Sequence, residues 1–182
     1  GINAVKQVQV KESWKNLSGA AIQPAPADVP DIIKNILVPI NAQKGDLLPV
    51  SAFKGMEDGT MPLGTSQYEK RGIATHLPVW DSSECIQCNM CSFVCPHAVI
   101  RPYLLDEKEA ANAPAGMTLV DAKGPKMDGL KYTMGVSTLD CTSCGSCVSS
   151  CPKSGKALKM VPTHEVSLDQ TNWKYLQTLS EK

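Results

Sequence analysis

All eight cysteines of this chain of 182 residues fall into two short blocks with one shared spacing. They are Cys85, Cys88, Cys91 and Cys95 in the first block, and Cys141, Cys144, Cys147 and Cys151 in the second. Each block reads C-x-x-C-x-x-C-x-x-x-C-P, because a proline follows its fourth cysteine. Two-residue gaps let three successive thiolates converge from one tight loop, and such a run is typical of iron-sulfur ligation. The spacing therefore predicts two [4Fe-4S] clusters.

The fourth cysteine of each block follows a wider gap, and the proline after it turns the chain away from its own loop. In two-cluster ferredoxins this thiolate ligates the other cluster. Transferred residue by residue, one cluster is held by Cys85, Cys88, Cys91 and Cys151, and the other by Cys141, Cys144, Cys147 and Cys95. Each block then completes the site of its partner, which explains why the two blocks occur together.

Three other uses of cysteine agree less well with this pattern. Disulfide frameworks belong to short secreted chains, whereas this chain lacks a signal peptide and its cysteines are tightly clustered. Structural zinc favours two separated C-x-x-C pairs for each tetrahedral site, so zinc remains mainly as a misloaded metal or a structural scaffold. A thioredoxin-like pair needs a βαβ context, which neither block has.

The two loops differ in the residues between their cysteines. The first loop offers apolar side chains that we expect to cover its cluster: Ile86, Met90, Phe93 and Val94. The second offers small and hydroxyl-bearing residues: Thr142, Ser143, Gly145, Ser146, Ser149 and Ser150. Donors to sulfur and access of water both stabilise the more negative reduced state. We therefore predict the higher reduction potential for the cluster of the Cys141 loop.

Cations near the blocks are candidates for raising the cluster potentials and for docking an acidic carrier. They are Arg101, Lys153, Lys156 and Lys159. Each lysine taken singly is more simply explained by a solvated face. His97 follows Pro96 and is a candidate for coupled proton uptake, with an ordinary surface histidine as the simpler alternative.

Each block is flanked by short apolar segments that predict strands, "HLPVWD" and "AVIRPYLL" for the first block and "GVSTLD" and "ALKMVP" for the second. We expect an α+β fold, with a two-cluster bacterial-ferredoxin-like domain and a pseudo-twofold repeat at residues 73–166. A small irregular linker domain at 1–72 precedes it, and a linker helix at 167–182 follows it. The stretch from Asp106 to Tyr132 exceeds what a compact ferredoxin needs and predicts an inserted surface hairpin.

Two short helices are predicted outside this domain. "DVPDIIKNILVPI" places Val29, Ile32, Ile33, Ile36 and Leu37 at helical spacing. We expect Asp28 as the N-cap and Pro39 as the end of this helix. Near the C-terminus, Trp173, Leu176 and Leu179 form one apolar stripe. Such a stripe packs either on a missing partner or back on its own domain.

Bulk composition restricts the partners. The formal net charge is zero, which argues against nucleic acid or an acidic membrane surface as a partner. The sequence has neither a signal peptide nor an apolar run of about 18 residues, so we expect a cytoplasmic location. The chain begins with Gly1 rather than methionine, and we expect it to be a fragment of a longer polypeptide.

A charged triplet, Glu69-Lys70-Arg71, follows the glycine-punctuated stretch from Asp58. These glycines lack phosphate-loop spacing, so a nucleotide site is not expected. Considered alone, the triplet is most simply a solvated turn.

The stretches "GDLLPVSAF", "DGTMPLGTSQYEKRGIA" and "CIQCNMCSFVCPHAVIRP" together closely resemble pyruvate:ferredoxin (or flavodoxin) oxidoreductases over nearly the whole chain. The resemblance implies an internal segment that passes electrons through two [4Fe-4S] clusters to ferredoxin or flavodoxin. It also implies that thiamine diphosphate, Mg²⁺ and a third [4Fe-4S] cluster lie in other domains of a homo-oligomeric parent, which converts pyruvate to acetyl-CoA. The segment itself then has no catalytic residues. The alternative is a free-standing diffusible ferredoxin with an N-terminal extension.

Overall fold

The computed structural model describes residues 2–16 and 29–182. The chain divides into two compact units, Gly1–Glu69 and Lys70–Lys182. Within the described residues, no helix is both long enough and apolar enough to cross a membrane.

The first unit consists of short helical turns. Its longest helical stretch is a π turn, Ile33–Leu37, that continues into α1, Val38–Asn41. Short 3₁₀ turns occupy Ile2–Ala4, Glu12–Asn16, Gly45–Leu47, Val50–Phe53 and Thr65–Tyr68. Ile33 and Ile36 are each 4% exposed, as the predicted apolar stripe requires. The predicted N-cap, Asp28, lies outside the described residues.

The prediction that Pro39 ends this helix is wrong, because the helix continues through it to Asn41. A proline inside a regular α-helix lacks an N–H donor, and its ring clashes with the carbonyl four residues earlier. Here Val38 donates its N–H to the carbonyl of Ile33, five residues back. Such a π turn is one of the local adjustments by which a helix accommodates a disturbed hydrogen-bond ladder.

The second unit contains all five strands of the described residues. They are β1 (His76–Trp80), β2 (Ile100–Leu105), β3 (Val120–Asp121), β4 (Lys131–Val136) and β5 (Leu158–Pro162). Its helices are α2 (Met90–Phe93), α3 (Glu107–Ala111), α4 (Ser146–Ser149) and α5 (Thr171–Leu176), with a 3₁₀ turn at Thr163–Glu165. β1 pairs antiparallel with β5, while β4 pairs antiparallel with both β2 and β3.

The order strand, cysteine loop, four-residue helix, strand occurs twice. It runs β1, α2, β2 around the first cysteine block and β4, α4, β5 around the second. The first strand of each half pairs with the second strand of the other half. One predicted boundary was wrong, because β4 ends at Val136 and Ser137–Asp140 form a turn. The Ser137 hydroxyl donates to the Asp140 carboxylate and the Asp140 N–H donates to the Ser137 carbonyl, which closes that turn.

The insertion contains the predicted hairpin, formed by β3 and β4. It also contains α3, which was not predicted. Asp106 caps this helix by accepting from the Glu109 N–H at 2.8 Å, and Glu109 accepts from the Asp106 N–H at 3.0 Å. This reciprocal capping box has a readable sequence signature, an aspartate followed three residues later by a glutamate.

The C-terminal helix α5 packs on its own unit, which is one of the two alternatives predicted for its apolar stripe. Leu176 is 2% exposed, and a Cβ added to Gly135 of β4 would lie 2.6 Å from its Cδ1 atom. Trp173 packs edge-on against Tyr103, with ring centroids 6.4 Å apart. Leu179 lies beyond the end of the helix.

The buried core of the second unit lies against the cysteine loops. Leu77, Ile100 and Leu105 are fully buried, and Leu158 is 2% exposed. Cys147 packs in one buried cluster with Ile100 and Leu158, and Cys141 packs in the other with Leu77. The hydrophobic core and the candidate site are therefore built on the same strands.

Candidate metal centres

The two cysteine loops have the same backbone geometry. Corresponding residues differ by 56 in number, as 141 minus 85 shows. Gln87 and its counterpart Ser143 have φ of 59° and 63°, and Asn89 and its counterpart Gly145 have φ of 61° and 75°. Such left-handed positions are uncommon for residues other than glycine. They turn each loop tightly enough for its first three cysteines to face one side.

Backbone N–H groups approach the cysteine sulfurs in matching places. Gln87 N lies 3.4 Å from Cys85 Sγ, and Ser143 N lies 3.5 Å from Cys141 Sγ. Val99 N lies 3.4 Å from Cys95 Sγ. Donors to sulfur stabilise negative charge there, so the loop backbone is suited to thiolate ligands.

One cavity has Cys85, Cys88, Cys91 and Cys151 in its wall. The remaining wall is mostly apolar and includes Trp80, Met134 and Leu158. We call this the Cys85 cavity. Three of its four cysteines come from the first block and one from the second.

A second cavity has Cys95, Cys141, Cys144 and Cys147 in its wall. Its other residues include His97, Ser146 and Met160. We call this the Cys141 cavity. Here the second block supplies three cysteines and the first block supplies Cys95, so the two cavities exchange one cysteine each.

All eight cysteines are free thiols, and their burial differs by position. The middle cysteines Cys88 and Cys144 are exposed, whereas Cys141 and Cys147 are 6% and 8% exposed. Burial raises the pKa of the Cys91 and Cys147 thiols to about 11. These thiols are therefore protonated at neutral pH unless a bound cation stabilises the thiolate.

An all-sulfur donor set suits an iron-sulfur cluster or a thiophilic metal. A single zinc ion would bring sulfurs to about 3.8 Å from one another, given Zn–S bonds of about 2.3 Å. Across residues 2–16 and 29–182, no three His, Cys, Asp or Glu side chains converge on a point that could hold one metal ion. Each set of four cysteines lines one cavity, and an all-sulfur lining is the donor set that an iron-sulfur cluster takes.

The polar groups around the two cavities differ. At the Cys141 cavity, Ser146 Oγ lies 3.5 Å from Cys144 Sγ, and this hydrogen bond lowers the pKa of the Cys144 thiol. Ser149, another predicted donor, is exposed. At the Cys85 cavity the wall includes Lys153 and Trp80. The Trp80 Nε1–H is the one buried side-chain donor without a partner in the part of the chain that the structure describes.

The predicted apolar cover of the first loop is wrong for Met90 and Phe93, whereas Ile86 lines the Cys85 cavity and Val94 is partly buried. Phe93 is 91% exposed, Ile86 is 50% exposed and Met90 is 42% exposed. The four-residue helix α2 is too short to bury its outer face, so Met90 and Phe93 are exposed to solvent. The apolar wall comes from Ile86 of the loop and, on the strands, from Trp80, Met134 and Leu158.

Among the predicted cations, Lys153 reaches a cavity wall and Arg101 does not belong to either wall. The Arg101 guanidinium lies 5.4 Å from the centroid of the Trp173 ring, and its Nε donates to the Ala98 carbonyl at 2.6 Å. Lys156 and Lys159 are exposed. His97 lies in the wall of the Cys141 cavity.

Two residues of the first loop form hydrogen bonds with the inserted hairpin, and neither was predicted to have a role. Gln87 Nε2 donates to the Asp121 carbonyl at 2.9 Å, and Gln87 Oε1 accepts from the Lys123 N–H at 2.8 Å. Asn89 Oδ1 accepts from the buried Tyr132 hydroxyl at 2.8 Å. No local pattern marks such contacts, because they join residues more than 30 positions apart.

The interpretation of the charged triplet as a solvated turn is wrong for Lys70. Its ammonium group forms an ion pair with Asp140, the residue directly before Cys141, and the two side chains are 33% and 28% exposed. The Gly72 N–H also donates to the Leu139 carbonyl at 3.0 Å. Lys70 and Gly72 therefore contact the residues that directly precede the second cysteine loop.

Two antiparallel sheets with two cavities, each lined by four thiols, define the class of a ferredoxin-like protein with two iron-sulfur centres. The family model of the 4Fe-4S dicluster domain matches residues 84–157. Two [4Fe-4S] clusters are therefore the cofactors of this chain. The model of the EKR domain, a domain of unknown function, matches residues 20–74.

Similar proteins extend the match to the whole chain. The pyruvate-flavodoxin oxidoreductase of Enterobacter agglomerans is 47% identical over 100% of this chain, and the pyruvate:ferredoxin oxidoreductase of Moorella thermoacetica is 46% identical over 99%. A pyruvate dehydrogenase (NADP⁺) of Cryptosporidium parvum is 48% identical over 85%. The chain covers 15% of each of the first two relatives and 8% of the third. The chain belongs, as a segment, to the family of pyruvate:ferredoxin and pyruvate-flavodoxin oxidoreductases, which are enzymes.

Proposed function

We propose that this segment carries electrons through two [4Fe-4S] clusters with exchanged ligands. In this proposal Cys85, Cys88, Cys91 and Cys151 hold one cluster, and Cys141, Cys144, Cys147 and Cys95 hold the other. The single observation that supports it most strongly is the composition of the two cavity walls, each with three cysteines from one block and one from the other. When bound, each cluster accepts and returns one electron.

The exchange of ligands agrees with a pseudo-twofold relation between the two halves, which we propose as the symmetry of residues 73–166. β1 of the first half pairs with β5 of the second half, and β4 of the second half pairs with β2 of the first. Each half thus pairs a strand with the other half, as each block supplies one cysteine to the cavity of the other. Equal left-handed positions in the two loops support the same relation. With exchanged ligands, both clusters would lie against the same hydrophobic core and close to each other. Electron transfer between two clusters requires such close spacing.

The protein's own residues have three tasks in this function. The eight thiolates hold the iron and fix the charge of each centre. Backbone N–H groups of Gln87 and Ser143, directed at sulfur, stabilise added negative charge. The apolar strands exclude water from one side of each cavity, while exposed Cys88 and Cys144 leave the other side accessible to a redox partner.

We further propose that the segment serves a parent enzyme that oxidatively decarboxylates pyruvate to acetyl-CoA with thiamine diphosphate. In this enzyme thiamine diphosphate, Mg²⁺ and a third [4Fe-4S] cluster belong to other domains, and the parent is a cytoplasmic homo-oligomer. Ferredoxin or flavodoxin then accepts the electrons. The names of the relatives from Enterobacter agglomerans and Moorella thermoacetica support this proposal, since they specify pyruvate with flavodoxin and with ferredoxin.

The proposal is tested on the chain purified without oxygen. We expect about eight irons and eight sulfides per chain, and uptake of about two electrons from dithionite. Mixing the reduced chain with oxidised flavodoxin in a stopped-flow instrument should then produce flavodoxin semiquinone. A chain with Cys88→Ala and Cys144→Ala serves as the control and should take up fewer electrons. A fully loaded wild-type chain that takes up no electrons, or a chain that holds zinc after anaerobic preparation, would contradict electron transfer.

A further inference from the structure

The acidic residue directly before the first cysteine of each loop has a different environment in the two loops. Glu84 precedes Cys85, and Asp140 precedes Cys141 at the corresponding position. Glu84 is exposed. Asp140 forms an ion pair with Lys70, which is 70 positions earlier in the sequence, and both side chains are about two-thirds buried. The second loop therefore has an attachment point at a place where the first loop has only a solvated acid.

The Asp140 carboxylate is also part of a buried polar network. It accepts from the hydroxyl of Ser137, a residue with no exposed surface. Thr138 is 9% exposed, and its hydroxyl accepts from the Gln170 side-chain amide. Two distant residues thus form hydrogen bonds with this turn: Lys70, which precedes it in the sequence, and Gln170, which follows it. Because the Asp140 carboxylate accepts from both Lys70 and Ser137, it has few alternative positions. The turn that carries it is therefore fixed.

This turn leads directly into a buried ligand. Cys141 is 6% exposed and packs against Leu77 in the core, whereas Cys85 is only half-buried. A displaced turn at Asp140 would move the Cys141 sulfur with it, because one peptide unit joins the two residues. The same displacement would not reach Cys85, whose preceding turn is closed locally by Asp81. There the Asp81 carboxylate accepts from the Ser83 N–H at 3.0 Å and from the Ser83 hydroxyl at 2.6 Å.

We propose that Lys70, the central residue of the Glu-Lys-Arg triplet, is a positioning residue for the cluster of the Cys141 cavity. Through Asp140, its ammonium group fixes the turn that places Cys141 toward that cluster. This gives Lys70 a role in cluster assembly and in tuning one of the two centres. The inference rests on the proposed ligand sets, and it concerns a residue that touches neither cluster.

The role requires a positive charge at this place more than it requires a lysine. Lys70→Met removes the charge and keeps much of the apolar stem, whereas Lys70→Arg keeps the charge. Asp140→Asn removes the same ion pair from the other side. Glu84→Gln makes the same chemical change at the corresponding position of the first loop, where the described residues form no such ion pair, and is therefore the matched control.

The experiment compares these variants in the cluster-loaded chain, purified without oxygen. EPR-monitored redox titration follows the two clusters separately, with signals assigned by their loss in Cys88→Ala and in Cys144→Ala. A colorimetric iron chelator measures how fast each variant releases iron. Iron and sulfide content of the wild-type chain tests the proposed function independently, so failure of that proposal is recognised before the variants are compared.

For Lys70→Met and Asp140→Asn we expect a changed EPR signal and midpoint potential of the Cys141-cavity cluster, with iron release about five-fold faster. The Cys85-cavity cluster should keep its signal. Lys70→Arg should restore most of the wild-type behaviour, and Glu84→Gln should behave as wild type. If Lys70→Met does not fold, Asp140→Asn carries the test. Unchanged signals and iron release in both variants, or equal damage to both clusters, would overturn the proposal.

Discussion

The first and second cysteine loops share a backbone but are held by different neighbours. Gln87 and Ser143 occupy the same left-handed position, and each side chain bonds to the backbone of the segment beside it. The long amide of Gln87 spans to the inserted hairpin at Asp121 and Lys123, whereas the Ser143 hydroxyl accepts from the His76 N–H of β1 at 3.0 Å. The repeat therefore fixes the path of each loop, and the flanking segments decide what stabilises it.

The burial of residues also differs between the two loops, and the difference is the opposite of what the polarity of the loop sequences predicts. The second loop is rich in serine and threonine, yet its Cys141 and Cys147 are buried. The first loop is apolar, yet Met90 and Phe93 are exposed to solvent. Access of water therefore does not support a higher potential for the Cys141-cavity cluster. The hydroxyl of Ser146 still supports the higher reduction potential expected for the Cys141-cavity cluster, which stays a prediction.

The largest expected effect comes from removing an exchanged cysteine. Cys151→Ala should damage the cluster of the Cys85 cavity, because Cys151 lines that cavity and not the cavity of its own block. We expect loss of up to about half of the iron, or conversion of one cluster to a three-iron form. EPR spectra of the reduced variants would show which cluster is affected.

The comparison for this prediction is made between pairs of variants. Cys151→Ala should give the same EPR spectrum as Cys88→Ala, and Cys95→Ala the same as Cys144→Ala. Cys88 and Cys144 are suitable references because both are exposed and occupy the same position in their loops. Spectra of Cys151→Ala that match Cys144→Ala would contradict the exchange.

A smaller effect is expected from the hydroxyl beside Cys144. In the thiol form Cys144 donates to the Ser146 hydroxyl, and that hydroxyl can donate to the sulfur once Cys144 is a thiolate. Ser146→Ala removes this stabilisation of negative charge, so the potential of the Cys141-cavity cluster should become more negative. A hydrogen bond contributes about 1 kcal/mol, which corresponds to a shift of about 40 mV for one electron. Redox titration monitored by EPR measures it. Ser149→Ala, at an exposed position on the same helix, should leave both potentials unchanged, and an equal shift in the two variants would argue against a specific hydrogen bond.

The smallest effect is expected from the cation at the Cys85 cavity. Lys153→Gln removes a positive charge from the cavity wall, so reduction of that cluster should become less favourable. Because Lys153 is exposed, water screens the interaction, and a shift on the order of 20 mV at low salt is expected. The same titration at high salt should reduce the shift. Lys156→Gln is the control, and a larger shift in this variant would assign the effect to another lysine.

Much of the second unit could be predicted from local patterns. Apolar segments flanking the cysteine blocks predicted β1, β2 and β5, and the composition of the stretch after β2 predicted a hairpin. The cysteine spacing led to two groups of four, and the cavity walls contain the same two groups, although ligation itself stays a prediction. These features follow from spacing and apolar pattern, which are local properties of the chain.

The remaining features depend on contacts between distant residues or on local exceptions. The ion pair of Lys70 with Asp140 and the bonds of Gln87 to the hairpin join segments that the sequence does not relate. Pro39 was expected to end a helix because the rule assumes regular α-helical hydrogen bonds, and a π turn removes that condition. The capping box at Asp106 and Glu109 was readable from the sequence but was not used.

Exchange of ligands between the halves can be observed directly by crystallography of the anaerobically purified, cluster-loaded chain, with anomalous diffraction at the iron edge to locate each iron. We predict that the Sγ atom of Cys151 is bonded to the same iron-sulfur cube as those of Cys85, Cys88 and Cys91, and that Cys95 is bonded to the other cube. A structure in which each cube takes all four sulfur ligands from a single block would contradict this account.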